Sequence, residues 1–248
     1  DIDVEGGGID RLQVRDNGCG IPSDQIALAL ERHATSKIAS LNDLESIRTL
    51  GFRGEALPSI AAVADVAIRS RTAADEHAWE VLAGPGVSIG APSPARGSQG
   101  SEVEIRGLFA RVPARRKFLR SERTEWAHVE SLARRVALSR PEIAIAIRHN
   151  AKVAWERPVE CLESRVRSLI GEDFVGLAMP VFAETEGLSL RGLASQPAWS
   201  RVQADTQYFY LNGRFLRDRL VVGALRAAYA EVPVSYTHLR AHETSLHL

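Results

Sequence analysis

The sequence predicts an α+β protein in which antiparallel strands gather beside a few helices. Two observations carry the prediction. Short segments alternate apolar and polar residues with period two, at residues 2–5, 12–15 and 101–106. One long segment, over about residues 121–140, instead sets Trp126, Val129, Leu132, Ala133 and Val136 on a single helical face.

Taken in order, residues 2–5 and 12–15 flank Gly6-Gly7-Gly8 as an antiparallel hairpin whose second strand ends by delivering Asp16. Pro22-Ser23-Asp24 starts a helix whose apolar side, Ile26, Leu28, Ala29 and Leu30, runs to about Arg32. Leu44, Ile47 and Leu50 stand at helical spacing, and an apolar helix follows from about Ala56 to Val63. Residues 66–71 and 79–82 read as strands, and residues 84–100, holding Pro85, Pro92 and Pro94, read as a turn-rich connection. Pro141 ends the long helix, residues 143–148 and 152–156 form a second hairpin, and Pro158 marks a domain boundary.

Beyond it come a helix over residues 160–170 stopped by Gly171, strands at 188–191 and 207–211, and the Asn212-Gly213 turn into Arg214-Phe215-Leu216. A helix over residues 218–230 follows. Residues 235–248 show neither period and read as a disordered, non-matching tail. His238 and His242 stand four apart there, but no carboxylate completes an H-E-x-x-H metal arrangement. The expected domains are thus 1–158 and 159–234, with 235–248 as the tail.

Composition narrows the function. A hydrophobic fraction of 45% and a charged fraction of 25% are those of an ordinary globular protein. Lysine plus arginine equals aspartate plus glutamate at 31 each, so any polyanion must be met by a local patch. Cys19 and Cys161 form no C-x-x-C pair, which argues against a disulfide framework or cysteine zinc site and for a reducing, cytosolic compartment. No apolar run reaches the ~18 residues of a membrane span, so no membrane partner is expected. The amino end alternates like a strand from its first residue, as a chain starting inside an element would.

The chemistry concentrates in three stretches: Asp16-Asn17-Gly18-Cys19-Gly20-Ile21, His33-Ala34-Thr35-Ser36-Lys37 and Gly51-Phe52-Arg53-Gly54-Glu55-Ala56-Leu57. Selecting adenine requires a fixed acceptor for its exocyclic amino group, and Asp16, at a strand end before flexible glycines, is such a carboxylate. Triphosphate requires backbone N–H groups and hydroxyls in an open loop, which Thr35, Ser36, Lys37, Gly51, Phe52, Arg53 and Gly54 offer. Each motif alone is weak: Asp-Asn-Gly is commonly a turn, and Gly51-Phe52-Arg53-Gly54 is not a G-x-x-x-x-G-K-[ST] phosphate loop.

In order, and together with Pro113-Ala114-Arg115-Arg116-Lys117-Phe118, these stretches closely resemble the amino-terminal region of the MutL mismatch-repair ATPases. That family shares its superfamily with DNA gyrase, the heat-shock chaperone ATPases and the histidine kinases. The resemblance continues through Tyr210-Leu211-Asn212-Gly213-Arg214 and Arg217-Asp218-Arg219. It implies a two-layer sandwich of helices on a mixed, mostly antiparallel sheet, the Bergerat-type ATP-binding fold. An α/β domain resembling ribosomal protein S5 domain 2 would follow.

The resemblance also assigns roles. Asp16 matches the adenine aspartate, Gly18 and Gly20 its glycines, Gly51, Arg53 and Gly54 the phosphate loop, and Gly100-Ser101 the residues supporting the adenine pocket. Thr35 and Ser36 fall in the lid. ATP and Mg2+ are the implied cofactors. The implied partners are DNA without sequence preference, a mismatch-recognition protein of the MutS type and a second copy, in bacterial cytoplasm at the nucleoid. Arg214 and Arg217 are the candidate DNA contacts, while Arg115 and Arg116 suit a structural role equally.

Two departures stand against these matches. The family's general-base glutamate and magnesium-binding asparagine lie on a helix before this hairpin, and its phosphate-reaching lysine lies in a later loop. These residues have no counterpart here, so catalytic and metal residues are expected to be missing and hydrolysis to be nearly lost, since a general base contributes about 10²–10⁴ in rate. Two other readings compete: the ATPase region of a type II topoisomerase, and a non-catalytic DNA-binding scaffold.

Overall fold

The computed structural model describes residues 1–31, 54–196, 207–230 and 241–247. Two compact units emerge: residues 1–131 with 145–156, and residues 132–144 with 157–248. The chain thus passes from one to the other at Glu156/Arg157, close to Pro158, but the carboxy-terminal part of the long helix belongs with the second unit.

The first unit is built on an eight-stranded sheet in the order β5-β4-β3-β6-β2-β1-β7-β8. Its strands are β1 (Ile2–Glu5), β2 (Arg11–Arg15), β3 (Asp65–Arg71), β4 (Ala78–Ala83), β5 (Ser93–Ala95), β6 (Gly100–Arg106), β7 (Ile145–His149) and β8 (Lys152–Arg157). β1 runs parallel to β7 and antiparallel to β2, so the sheet is mixed and mostly antiparallel.

Its two faces follow from alternation. Val66 and Ile68 of β3 and Val81 of β4 point inward and are essentially buried, with Val103 and Ile105 of β6 packed against them. Ile26 and Leu30, and Leu57 and Ile60 near helix α1 (Ala56–Ala61), cover that face. On the opposite face Glu80, Arg69, Glu102 and Arg15 alternate in sign across β4, β3, β6 and β2 as a ladder of ion pairs.

A short helix α2 (Pro113–Arg116) and the first part of the long helix α3 (Glu122–Ser139) complete the described helices of this unit, residues 132–139 of α3 belonging to the second. Near its end α3 hands its carbonyls to new donors: Arg135 O accepts the Tyr210 hydroxyl at 2.9 Å and Val136 O accepts Arg140 N–H at 3.1 Å.

The second unit contains α4 (Leu162–Ile170), α5 (Glu172–Gly176), α6 (Arg219–Ala230) and a five-stranded sheet ordered β12-β11-β13-β10-β9. Those strands are β9 (Ala178–Thr185), β10 (Leu188–Ser195), β11 (Phe209–Leu211), β12 (Arg214–Leu216) and β13 (Ala241–His247). Leu138, Val166, Phe174 and Tyr210 form its buried cluster.

Four expectations need correction. Residues 22–31 form turns and a 3-10 segment at Leu28–Leu30 instead of an α-helix. Bonds such as Gln25 N–H to Pro22 O and Leu30 N–H to Ala27 O still bury Ile26 and Leu30, so the apolar spacing is met without a continuous ladder. The 84–100 connection contains β5, a three-residue edge strand whose Pro94 hides it from any pattern. Residues 178–185, unassigned from sequence, form β9. The segment read as a disordered tail supplies β13, whose backbone pairs antiparallel with β10 and parallel with β11. A strand at His242 removes the helical spacing with His238, which itself lies outside the described residues. The helical segment expected around Leu44–Leu50 lies outside them as well.

Candidate functional site

β2 ends at Arg15, and the backbone of Asp16 continues the ladder for one more bond, donating its N–H to Ser101 O at 2.8 Å. The chain then turns. Asp16 Oδ1 accepts the Gly18 N–H at 2.9 Å and the Ser101 N–H at 3.2 Å, so one oxygen holds both the turn and the start of β6. Oδ2 accepts no hydrogen bond among the described residues.

Two glycines make this approach possible. Gly100 has φ +117°, and a Cβ there would stand 2.1 Å from Asp16 O. Gly20 has φ +78°, and its Cβ would stand 2.2 Å from Arg71 O. Only glycine reaches these angles at no steric cost, and only glycine leaves room for the passing strand.

Beside the carboxylate, Ser70 of β3 is buried at 2% exposure. Its Oγ accepts the Ile21 N–H at 2.7 Å, donates to Gly100 O at 3.0 Å and lies 2.9 Å from Ser101 Oγ. Asp16, Ser70, Gly100 and Ser101 line a cavity of about 420 Å³ with Arg15, Arg69, Arg96, Gly97, Ser98 and Glu102. Ser70 was not singled out from sequence. Its signal is a hydroxyl at the inward position that continues Val66 and Ile68.

Glu102 is the other carboxylate on the cavity wall. Arg15 Nε lies 2.9 Å from one of its oxygens and Arg69 Nη1 2.6 Å from the other. Burial works to raise its pKa, but hydrogen bonds from Arg15, Arg69 and Gln13 outweigh it and hold Glu102 below the usual glutamate range. A depressed carboxyl stabilises the fold above its unfolded pKa and loses that contribution as pH falls through the folded one. Denaturant titration of Glu102→Gln should therefore show its full stability deficit at neutral pH. The gap to wild type should narrow below about pH 4.5. A pH-independent gap would refute the linkage.

The structure brings Asp16, Gly18, Gly20 and Ser101 into one corner. Gly54, at φ +60° before α1, does not line the cavity. Thr35, Ser36, Lys37, Gly51, Phe52 and Arg53 lie outside the described residues. Arg115, Arg116, Lys117, Arg120 and Arg123 are exposed on and after α2. Nearby, Glu122 accepts from Asn150 Nδ2 at 2.7 Å and Glu125 from the Arg120 backbone N–H at 2.8 Å. In the second unit Arg214 belongs to β12, and the Arg217 guanidinium lies 5.8 Å from the Phe215 ring centroid.

Among the described residues no three His, Cys, Asp or Glu side chains gather where a metal could be held. With Glu102 clamped by two arginines and Asp16 tied to two N–H groups, the two described carboxylates of this cavity do not form a magnesium site. None of the described helices is long and apolar enough to cross a membrane.

Comparison with known proteins gives a consistent result. A family profile described as DNA mismatch repair protein, C-terminal domain, matches residues 166–241. The MutL proteins of Cellvibrio japonicus and Ralstonia nicotianae are 49% and 47% identical over 236 and 232 residues, 94% and 93% of this chain. The chain spans 38% and 36% of those relatives' length.

Among solved structures, the Aquifex aeolicus MutL ATPase domain complexed with ADP aligns with a TM-score of 0.67 at 24% identity, covering 99% of this chain and 81% of that one. The N-terminal domain of a DNA repair protein aligns at 0.80 and 18%, covering 100% and 77%. The Saccharomyces cerevisiae topoisomerase II ATPase region aligns at 0.58 and 10%, covering 99% and 65%. At these identities the structures share the fold, and the sequence relatives decide the family: the chain belongs to the MutL DNA mismatch-repair proteins.

Proposed function

We propose that this chain is the nucleotide-binding part of a MutL-type protein, with ATP as its ligand. The observation that supports this best is the anchoring of Asp16. Its Oδ1 is taken by the Gly18 and Ser101 N–H groups at 2.9 and 3.2 Å, which leaves Oδ2 to receive an adenine amino hydrogen. Gly51, Phe52, Arg53 and Gly54 would meet the phosphates, with Thr35, Ser36 and Lys37 in a lid over them.

In the longer protein ATP binding would order the lid and draw two amino-terminal domains together, and hydrolysis would release them. The product is a clamp on DNA that links mismatch recognition by a MutS-type partner to strand removal. The described cavity suits binding more than turnover. With Oδ2 of Asp16 given to the adenine and Glu102 held by two arginines, neither of the two carboxylates of this cavity is left to take a proton from water once the nucleotide is bound.

Calorimetric titration of the 248-residue chain with ATP tests the reading. Asp16→Ala is expected to weaken binding at least about 10-fold through loss of one charge-assisted hydrogen bond to the ligand, and to lower stability as well, because the Gly18 and Ser101 N–H groups lose their acceptor. Unchanged affinity would refute the adenine assignment.

For DNA, we assign Arg214 and Arg217 to non-specific phosphate contact, supported by two arginines close in sequence on and after β12. Arg214→Glu should weaken duplex binding across sequences and lower the salt slope by about 1. Identical affinity and slope would remove the assignment.

A further inference from the structure

We propose that Ser70 is a positioning residue that fixes Ser101 as a hydrogen-bond acceptor toward the ligand, which deepens the nucleotide reading above and rests on it. A hydroxyl carries one proton and two lone pairs. At Ser70 Oγ the Ile21 N–H occupies one lone pair at 2.7 Å. Gly100 O, 3.0 Å away, can only accept, so it takes the Ser70 proton. The remaining lone pair faces Ser101 Oγ at 2.9 Å.

With the Ser70 proton committed to Gly100, that last contact is a hydrogen bond only when Ser101 donates. The Ser101 proton is thereby turned toward β3, and its lone pairs are what the hydroxyl presents to the cavity. Asp16 Oδ2 stands on the same wall, and a carboxylate also only accepts. The corner is acceptor-only, and its complement is a ligand edge rich in hydrogens, such as the 6-amino group of a purine or a water bound to it.

Ser70 does this from a site that admits no rotation into solvent. It is 2% exposed, and its three partners come from the glycine turn and from the first two residues of β6. The hydroxyl thus sets both the position of the turn that carries Asp16 and the polarity of Ser101.

Equilibrium binding of ATP and of purine riboside 5′-triphosphate, which lacks the amino group, to the complete chain separates these roles. In Ser70→Ala the Ser101 proton is released to swing into the cavity. ATP affinity should fall about tenfold while the analogue changes much less, so the preference for ATP collapses. Ser70→Thr keeps the hydroxyl and should restore the preference. A parallel loss for both nucleotides would make Ser70 merely structural and overturn the proposal.

Thermal unfolding accompanies each variant. Should Ser70→Ala not fold, Ser70→Cys, similar in volume and poor in hydrogen bonding, takes its place under the same criterion. If Asp16→Ala loses ATP but the preference survives removal of the Ser70 hydroxyl, only the role of Ser70 fails. If the wild-type chain binds no ATP, the nucleotide reading fails and this one with it.

Discussion

Gly100→Ala is expected to cost about 3 kcal/mol or more and to abolish nucleotide binding. Two penalties coincide. The φ of +117° is one that L residues rarely adopt, and the added Cβ would stand 2.1 Å from Asp16 O and 2.9 Å from Asn17 Cα. Backbone cannot step aside as a flexible side chain can, so either β6 or the Asp16 turn must move. Movement of either breaks the bonds from Gly18 and Ser101 to Asp16 Oδ1 and from Ser70 to Gly100 O.

Gly86→Ala is the control. It also has positive φ, +77°, but its Cβ would meet nothing within 4 Å, so only the conformational cost of about 1–2 kcal/mol applies. Denaturant unfolding of both variants, with ATP titration of each, separates strain from collision. Equal costs at the two positions would refute the close-approach account of Gly100.

How much of this was legible depends on how each residue earns its place. β3 buries every second residue, and β6 turns Val103 and Ile105 to the same packed face while Glu102 and Glu104 take the other, so residues 66–71 and 101–106 carry a two-faced pattern. β9 carries no such signature: Met179 and Phe182 are exposed at 47% and 62%, so no single buried face disciplines its sequence. β13 is held by backbone pairing on both sides, which leaves little for a side-chain pattern to record. The turn at Asp16 could be read because its glycines are visible as letters, and Gly20 among them is required by geometry. Ser70 could not, because its role is set by three partners remote in sequence. The topoisomerase reading shares the fold and stops there, at 10% identity.

In the second unit, Arg165→Met is expected to cost about 3–5 kcal/mol, the range for removing one partner from a buried charged network. Arg165 is fully buried, and its guanidinium gathers groups from three stretches of chain, at 137, 141–143 and 158–160. Nη1 donates to Ala137 O at 2.7 Å, and Nη2 to Pro158 O at 2.7 Å, Ile143 O at 3.0 Å and Pro141 O at 3.1 Å. Nε donates to Glu160 Oε1 at 2.5 Å. Ala137 O lies near the end of α3, and the other three carbonyls belong to connections outside any ladder, so a methionine of similar reach supplies none of the lost donors; of the four carbonyls Pro141 O still accepts the Glu160 N–H at 3.1 Å. It also strands the Glu160 carboxylate, whose exposure in the pair is 16%. Arg167→Met two residues on removes two exposed pairs, with Glu163 and Glu172, and should cost under about 1 kcal/mol. Hydrogen exchange distinguishes the two: Arg165→Met should deprotect α4 and the end of α3, while β2, β3 and β6 keep their protection. A loss below about 1 kcal/mol would mean that water replaces the guanidinium as donor, and the staple would then carry no net stability.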